Sequence, residues 1–247
     1  MKNIVFCFYF LSFGFCDIPE KLFMDANQSM MDDRHEDAIQ IYESIIDLEY
    51  ERSEIYYNLG NAYYRSNLIG QAIWSYMKAL SIDPRNEDIK HNLSVAKAKT
   101  IDRIQIPSTL FVLEYYRYLR NYFTSNEWMF LGSLKLFFIS LIFCFYKVGY
   151  FGVPIARLLI PILSLITILI HFFLIDKYLQ ENRNNLAIII ENNVNAYSEP
   201  FNKSNTILFS VNEGSIADIS KFQNEWIEIN LIDGKTGWVK SKSIREL

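Results

Sequence analysis

The 247-residue chain is long enough for two small domains, and 51% of its residues are hydrophobic, which is high for a purely soluble protein. Its formal net charge of −4 gives no overall basic field, so the composition argues against nucleic acid as a partner. Cys7, Cys16 and Cys144 all lie in strongly apolar segments, which excludes a disulfide framework, a zinc site or a thiol nucleophile in the soluble parts.

The N-terminus has the pattern of an export signal. A single lysine precedes an apolar run from Ile4 to Phe15, which is too short to span a bilayer but is typical of a signal peptide over residues 1–16. Cleavage after Gly14 or after Cys16 fits the small residues nearby. Two alternatives stay open, an uncleaved anchor and a lipidated Cys16, although the bulky residue before that cysteine disfavours lipidation.

Residues 17–104 are predicted to form tetratricopeptide helical repeats. Within 53–86, eight residues match the spacing of that motif: Tyr56, Leu59, Gly60, Tyr63, Ala72, Tyr76, Ala79 and Pro84. A shift by the period of about 34 residues places four residues at the equivalent positions of a degenerate first repeat: Ala26, Ala38, Tyr42 and Ile45. The segment from Asn86 to about Ile101 is predicted to be a capping helix.

The geometry of the tetratricopeptide family implies a concave groove lined by the first helix of each repeat. Its candidate partner-binding residues are Phe23, Asn27, Glu54, Tyr57, Asn61, Tyr64, Arg65 and His91, with Glu20, Met30, Val95 and Lys99 beside them. Asn27 and Asn61 occupy matching positions, where an asparagine can hydrogen-bond the backbone of a bound peptide. The alternative is that these side chains only face water. The excess of acidic residues between Asp17 and Glu51 either solvates an exposed face or attracts a basic partner.

Two apolar stretches, 128–147 and 153–175, have the length of transmembrane helices. Lys147 and Arg157 flank the short loop at 148–152, so that loop is predicted to be cytoplasmic. With an exported N-terminus, both soluble parts then lie on the periplasmic side of a bacterial inner membrane. Lys135 interrupts the first stretch, either as a functional charge or as a side chain that pairs with the neighbouring helix or snorkels.

Residues 105–127, just before the first apolar stretch, mix aromatic side chains with arginines. This composition is typical of an amphipathic helix in the headgroup region of a membrane. An extension of the helical stack explains the pattern equally well.

After a polar linker at 176–185, residues 186–247 alternate short β-rich runs with turn residues. Five strands are predicted: Ala187–Ile190, Thr206–Ser210, Ser215–Ile219, Trp226–Leu231 and Gly237–Val239. Asp233-Gly234 is a hairpin signal between the last two. Strands this short favour a small barrel.

This stretch resembles a bacterial SH3 domain. The matching residues are Val194, Ala196, Tyr197, Pro200, Gly214, Trp226, Ile229, Asp233, Gly234, Gly237, Trp238 and Val239. Tyr197 replaces the arginine that is common in that family, so a ligand preference tied to that arginine is not expected here. Tyr197 and Trp238 are the candidate ligand-facing residues, and Trp226 is predicted to lie in the core.

The sequence contains no catalytic or metal-binding motif. The three histidines, His35, His91 and His171, are scattered and have no ligand-like companions, and no phosphate-binding glycine loop or nucleophile motif occurs. We therefore expect a protein that is not an enzyme and that holds neither a metal nor a cofactor.

The predicted fold class is multidomain: all-α tetratricopeptide helical repeats, two transmembrane helices and a C-terminal all-β SH3-like barrel. This order resembles the BatE-type proteins of the Bat aerotolerance operons, as do Asn92-Leu93 through Asp102, Ile106-Pro107 and Asn126-Glu127-Trp128. The resemblance implies partners with von Willebrand A domains and, indirectly, a MoxR-type ATPase, in envelope or oxidative stress tolerance. Two functions follow as hypotheses: a membrane-anchored adaptor, or a protein that binds peptidoglycan peptides through its SH3 domain.

Overall fold

The computed structural model describes residues 17–102, 110–149, 153–183, 185–201 and 204–247. The predicted signal peptide, residues 1–16, lies outside them, as do residues 150–152 of the predicted cytoplasmic loop. The helices are α1 (Asp17–Met31), α2 (His35–Asp47), α3 (Ser53–Arg65), α4 (Ile69–Ile82), α5 (Glu87–Ala98), α6 (Phe111–Tyr122), α7 (Ser125–Lys147) and α8 (Val153–Arg183). The strands are β1 (Leu186–Ile189), β2 (Val194–Tyr197), β3 (Ile207–Val211), β4 (Ile216–Gln223), β5 (Trp226–Leu231), β6 (Thr236–Lys240) and β7 (Ile244–Glu246).

These elements form two compact units. The first unit contains α1–α5, which we call the helical repeat unit, and β1–β7, which we call the C-terminal sheet. The second unit contains α6–α8. The first unit is therefore assembled from two stretches of sequence that are separated by the apolar helices.

The helical repeat unit consists of two helix pairs, α1–α2 and α3–α4, followed by the single helix α5. The positions predicted for the first repeat are all fully buried: Ala26, Ala38, Tyr42 and Ile45. The turns of the two repeats also match, because Asp33 and Asn67 both adopt a φ of 57°. Aspartate and asparagine tolerate this left-handed conformation better than most residues. The degenerate first repeat is thus built like the second.

The predicted capping helix corresponds to α5. Asn86 is its N-cap, and the side-chain oxygen of Asn86 accepts hydrogen bonds from the backbone N–H groups of Asp88 and Ile89. Such a cap satisfies amide donors that the first turn of a helix leaves free. The helix therefore begins where the sequence predicts.

The C-terminal sheet is antiparallel, with the strand order β3-β2-β6-β5-β4-β1-β7. Gly234 in the β5–β6 turn has a φ of 87°, as the Asp-Gly hairpin signal predicts. Two strands were not predicted from the sequence, β2 and β7, which are only four and three residues long. β1 is no longer than β2 but is continuously apolar, whereas β2 contains Asn195 and β7 contains Arg245 and Glu246. A run this short is recognisable in a sequence only when it is continuously apolar.

The C-terminal sheet packs on the helical repeat unit through a shared hydrophobic core. Ile188 of β1 is fully buried within the helical core, and Ile216 and Leu247 pack against the same cluster. Gly70 of α4 leaves no room for a side chain, since a Cβ there would lie 2.5 Å from the carbonyl oxygen of Ile189. The sequence predicts two separate soluble domains, whereas the structure joins them in one compact unit.

Arg245 of β7 anchors the sheet to the helices. Its guanidinium carbon lies 3.6 Å from the ring centroid of Trp74, and Nη1 donates to Glu43 Oε1 and to the Tyr63 hydroxyl, both at 3.0 Å. The indole Nε1 of Trp74 donates in turn to the backbone oxygen of Glu246 at 2.6 Å. The strand is therefore fixed to the helices by a cation–π contact, an ion pair and a backbone hydrogen bond.

Asp102, just after α5, forms a second clasp. Its carboxylate accepts from the Asn212 backbone N–H at 2.7 Å, from Asn212 Nδ2 at 3.1 Å and from the Ser215 hydroxyl at 3.2 Å. Downstream of the apolar helices, the backbone oxygen of Asn185 accepts from the N–H of Ile219 in β4. Asp102 is the last described residue before the second unit, and Asn185 is the first described residue after it. Asp102 thus binds the β3–β4 turn, and Asn185 binds β4.

In the second unit, two helices are long and apolar enough to cross a membrane, Ser125–Lys147 and Leu158–Gln180. The first begins three residues before the predicted start, because Thr124 and Glu127 form a reciprocal capping box. The predicted linker at 176–185 is largely helical, since α8 continues to Arg183. Residues 176–183 contain no glycine or proline that would end the helix.

Helix α6 belongs to the same compact unit as the apolar helices, which disfavours an extension of the helical stack. The Tyr116 hydroxyl and Arg120 Nη1 both donate to Asp176 Oδ2, at 2.6 and 3.0 Å. The Tyr116 ring also stacks on Phe173 with a centroid separation of 5.2 Å. The predicted amphipathic segment therefore packs on α8.

Lys135 is 9% exposed, and its Nζ has no hydrogen-bond partner among the residues that the structure describes. The predicted pairing with the neighbouring helix is therefore not observed there.

Candidate partner-binding site

The candidate groove contains a hydrogen-bond unit in each repeat. In the first repeat, Asn27 Oδ1 accepts from the Tyr42 hydroxyl at 2.5 Å and from Asn58 Nδ2 at 2.9 Å. Asn27 comes from α1, Tyr42 from α2 and Asn58 from the next repeat. The carboxamide is therefore fixed from three helices at once.

The same unit recurs 34 residues later along the sequence. Asn61 Oδ1 accepts from the Tyr76 hydroxyl at 2.8 Å and from Asn92 Nδ2 at 2.9 Å. Asn92 Nδ2 also lies 3.2 Å from the Tyr57 hydroxyl, and the Tyr57 ring packs against that of Tyr76. The helices therefore hold both predicted groove asparagines by their oxygen atoms.

This arrangement leaves the amide nitrogens of Asn27 and Asn61 available. Neither Nδ2 has a hydrogen-bond partner among the described residues, and neither is enclosed without one. Because two donors fix each oxygen, the amide plane cannot turn freely. Successive repeats therefore contain, at equivalent positions, an asparagine whose amide plane is held in place and whose N–H donors have no partner among the described residues.

The larger cavity of the groove has a volume of about 500 Å³ and is lined by Met30, Asn61, Tyr64, Arg65, Tyr76, Asn92 and Val95. Lys99 Nζ lies 4.0 Å from the ring centroid of Tyr64. Arg65 is exposed and has no ion pair among the described residues. This end of the groove is therefore basic.

The smaller cavity has a volume of about 210 Å³ and is lined by Glu20, Phe23, Tyr50, Arg52, Glu54 and Ile55. The Phe23 ring packs against Tyr42 with a centroid separation of 6.1 Å. The structure thus places seven of the eight predicted groove residues in a cavity or in the hydrogen-bond units. His91 is exposed on α5 and lines neither cavity.

The predicted ligand-facing residues of the C-terminal sheet are partners in adjacent strands, Tyr197 in β2 and Trp238 in β6. Both are largely buried, at 8% and 9% exposure. Trp226 is half-buried outside the core cluster, with its ring edge-on to Tyr197 at 5.4 Å, so its predicted core position is wrong. Alternate residues of β5 point into the core, and Ile227 points inward whereas Trp226 does not.

Two protein-family models match the chain. A tetratricopeptide repeat model matches residues 53–86, and a bacterial SH3 domain model matches residues 191–246. The chain contains both modules. No curated protein matches the sequence.

Tetratricopeptide and SH3 modules bind other molecules and typically have no catalytic activity of their own. Together they indicate a role in protein–protein interaction or in cell-wall binding. Among the described residues, no group of three or more histidine, cysteine, aspartate or glutamate side chains is arranged to hold a metal ion.

The residues that orient the groove asparagines are not among the site residues predicted from the sequence. The sequence predicts Tyr42 and Tyr76 only as packing residues and predicts no role in the groove for Asn58 and Asn92. The signal was present, because both pairs recur at the 34-residue spacing of Asn27 and Asn61. A repeated polar residue beside a repeated tyrosine predicts a repeated hydrogen bond.

The hydrogen-bond unit predicts a pH dependence at alkaline pH. Burial raises the pKa of Tyr42 from 10.0 to about 12. Between these values the folded state keeps a proton that the unfolded state releases, so the free energy of unfolding falls as pH rises, by up to about 1.4 kcal/mol per pH unit. Below pH 10 this contribution is constant.

Denaturant unfolding of the full-length protein in detergent, from about pH 9 to pH 12, measures this slope. Tyr42→Phe is expected to have a shallower slope than the wild type, because it lacks the hydroxyl whose pKa is raised by burial. Some slope should remain, because the other titrating groups are present in both proteins. Identical slopes would show that Tyr42 is not the group responsible.

Proposed function

We propose that the protein is a membrane-anchored adaptor of the bacterial cell envelope that binds an extended segment of its partners in the tetratricopeptide groove. The two oriented amide donors of Asn27 and Asn61 are the observation that carries this proposal. An extended peptide needs donors for its backbone carbonyl groups, and preorganised donors bind without losing side-chain entropy. The groove supplies two of them at the repeat spacing.

Two further features support the location. The two apolar helices have the length and composition of a membrane hairpin, and residues 191–246 match the model of a bacterial SH3 domain. We place the protein in the inner membrane, with the first compact unit on the periplasmic side, because basic residues flank the short loop between the helices.

The resemblance to BatE-type proteins suggests which partners the groove binds. We propose that the adaptor assembles a Bat-type complex with proteins that carry von Willebrand A domains, and through them acts with a MoxR-type ATPase in envelope or oxidative stress tolerance.

Crosslinking in intact membranes, followed by capture of the tagged protein, tests the groove. Asn27→Asp/Asn61→Asp keeps the oxygen that accepts from the tyrosine and replaces the outward N–H donors by acceptors. Each hydrogen bond contributes about 0.5–1.5 kcal/mol, so we expect capture of the partner to fall about tenfold or more. Asn205→Asp/Asn224→Asp introduces the same charge change at exposed positions and is the control.

Partner capture that is equal in both variants and the wild type would contradict the adaptor function. The competing function is binding of peptidoglycan peptides by the SH3 domain, which the match to a bacterial SH3 model favours. Trp226 is a half-buried aromatic residue whose position in β5 alternates with the inward-facing residues of that strand. Loss of cell-wall material in Trp226→Ala, with protein partners unchanged in the groove variant, would establish wall binding instead.

A further inference from the structure

The smaller cavity of the groove has the chemistry of a pocket for a positively charged side chain. Its volume of about 210 Å³ equals that of roughly seven water molecules, which is enough for one long side chain. Phe23 and Tyr50 contribute aromatic rings, Ile55 contributes an apolar wall, and Glu20 and Glu54 contribute carboxylates. Aromatic rings and carboxylates together favour an ammonium or guanidinium group.

One carboxylate oxygen in this cavity lacks a partner. Glu20 Oε1 accepts from the Tyr50 hydroxyl at 2.5 Å, whereas Glu20 Oε2 is enclosed and has no hydrogen-bond partner among the described residues. An acceptor that is buried without a donor destabilises the protein by about 1–3 kcal/mol. Rotation of this carboxylate toward a donor in the cavity would remove the penalty.

The cavity also contains one cation, Arg52, which does not neutralise it. The guanidinium carbon of Arg52 lies 5.3 Å from the ring centroid of Tyr50, and no ion pair between Arg52 and either glutamate occurs in the described part of the chain. Glu54 is exposed at the rim. Two carboxylates against one guanidinium leave the cavity with a net negative charge.

The opposite end of the groove carries the opposite charge. Arg65 lines the larger cavity, and Lys99 lies beside it against Tyr64. Glu54 and Arg65 are eleven residues apart in α3, which corresponds to about 16 Å along a helix. An extended chain covers this distance in about five residues.

We propose that the smaller cavity binds a lysine or arginine side chain of the partner segment, and that an acidic residue about five positions away lies at the basic end. This inference rests on the proposed function and adds the charge pattern and direction of the bound segment. The groove then discriminates between a segment with a basic residue at the Glu20 end and the same residues in reversed order.

Selection from a random heptapeptide display library by the full-length protein in nanodiscs tests the pattern. We expect bound peptides to be enriched in lysine or arginine at one position and in aspartate or glutamate about five positions away. Glu20→Gln/Glu54→Gln keeps the acceptor for Tyr50 and removes both charges, so the basic enrichment should disappear. Glu36→Gln/Glu49→Gln removes two exposed glutamates outside the cavity and should leave the enrichment unchanged.

A selected lysine peptide gives the affinity change directly. Its acetyl-lysine form is expected to bind the wild type about tenfold more weakly and to bind Glu20→Gln/Glu54→Gln no more weakly than the unmodified peptide. Enrichment without a basic position would overturn the proposed pocket and leave the adaptor function standing. The absence of any enrichment over empty nanodiscs would overturn both.

Discussion

Replacement of Trp74 by alanine is expected to lower the free energy of unfolding of the first compact unit by about 3–5 kcal/mol. Trp74 is 4% exposed and connects the helices to β7, with Arg245 over its ring and the backbone oxygen of Glu246 bonded to its Nε1. Without the indole, the Arg245 guanidinium loses its cation–π contact and Glu246 loses its donor. The strand β7 should then detach before the rest of the unit unfolds.

Hydrogen exchange of the full-length protein in nanodiscs measures this detachment. We expect faster exchange of the β1 and β7 amides in Trp74→Ala, together with a lower denaturant midpoint. Trp226→Ala is the matched control, because that tryptophan is half-buried and lies outside the core cluster. Equal protection of β7 in the two variants would show that the indole does not hold the sheet on the helices.

Gly60→Ala is expected to destabilise the unit by about 1–3 kcal/mol, although alanine is the better helix former. In an exposed helix the same change stabilises by roughly 0.5–1 kcal/mol. At Gly60 a Cβ would lie 2.6 Å from Cε1 and 2.7 Å from Cδ1 of the Tyr76 ring. That ring cannot retreat easily, since it is buried and its hydroxyl is bonded to Asn61.

The sign of the change is the test. Thermal unfolding of Gly60→Ala should give a lower midpoint than the wild type, and binding of groove peptides should weaken because the Tyr76 ring orients Asn61. A midpoint at or above that of the wild type would mean that α3 and α4 are not in close contact at this position.

The repeat period allowed the buried positions of the helical repeats to be predicted from the sequence. A pattern that recurs every 34 residues identifies Gly60, Tyr76 and their first-repeat equivalents Ala26 and Tyr42, because each repeat buries the same positions on its neighbour. The charge pattern of the groove depends on cavities that are lined by residues of several helices, and the repeat period does not show which charged residues meet there.

The docking of the sheet on the helices could not be predicted in this way. The bond between Glu43 and Arg245 joins residues 202 positions apart, and neither residue is one of the motif positions by which the repeat or the SH3 domain is recognised. The segment 176–185 was predicted to be a linker because it is polar, although α8 continues to Arg183. Polarity marks solvent exposure but does not by itself end a helix.

The split of the first unit across the sequence has a consequence for biogenesis. The helical repeat unit is synthesised first, but Ile188, Arg245 and the acceptor of Trp74 follow only after both apolar helices have been made. Domains of many proteins fold during synthesis from the N-terminal side. The surface around Trp74 and Gly70 therefore stays uncovered until both apolar helices and the C-terminal sheet have been synthesised. The helical repeat unit thus exposes the surface that later packs on the sheet for as long as α7 and α8 are being synthesised.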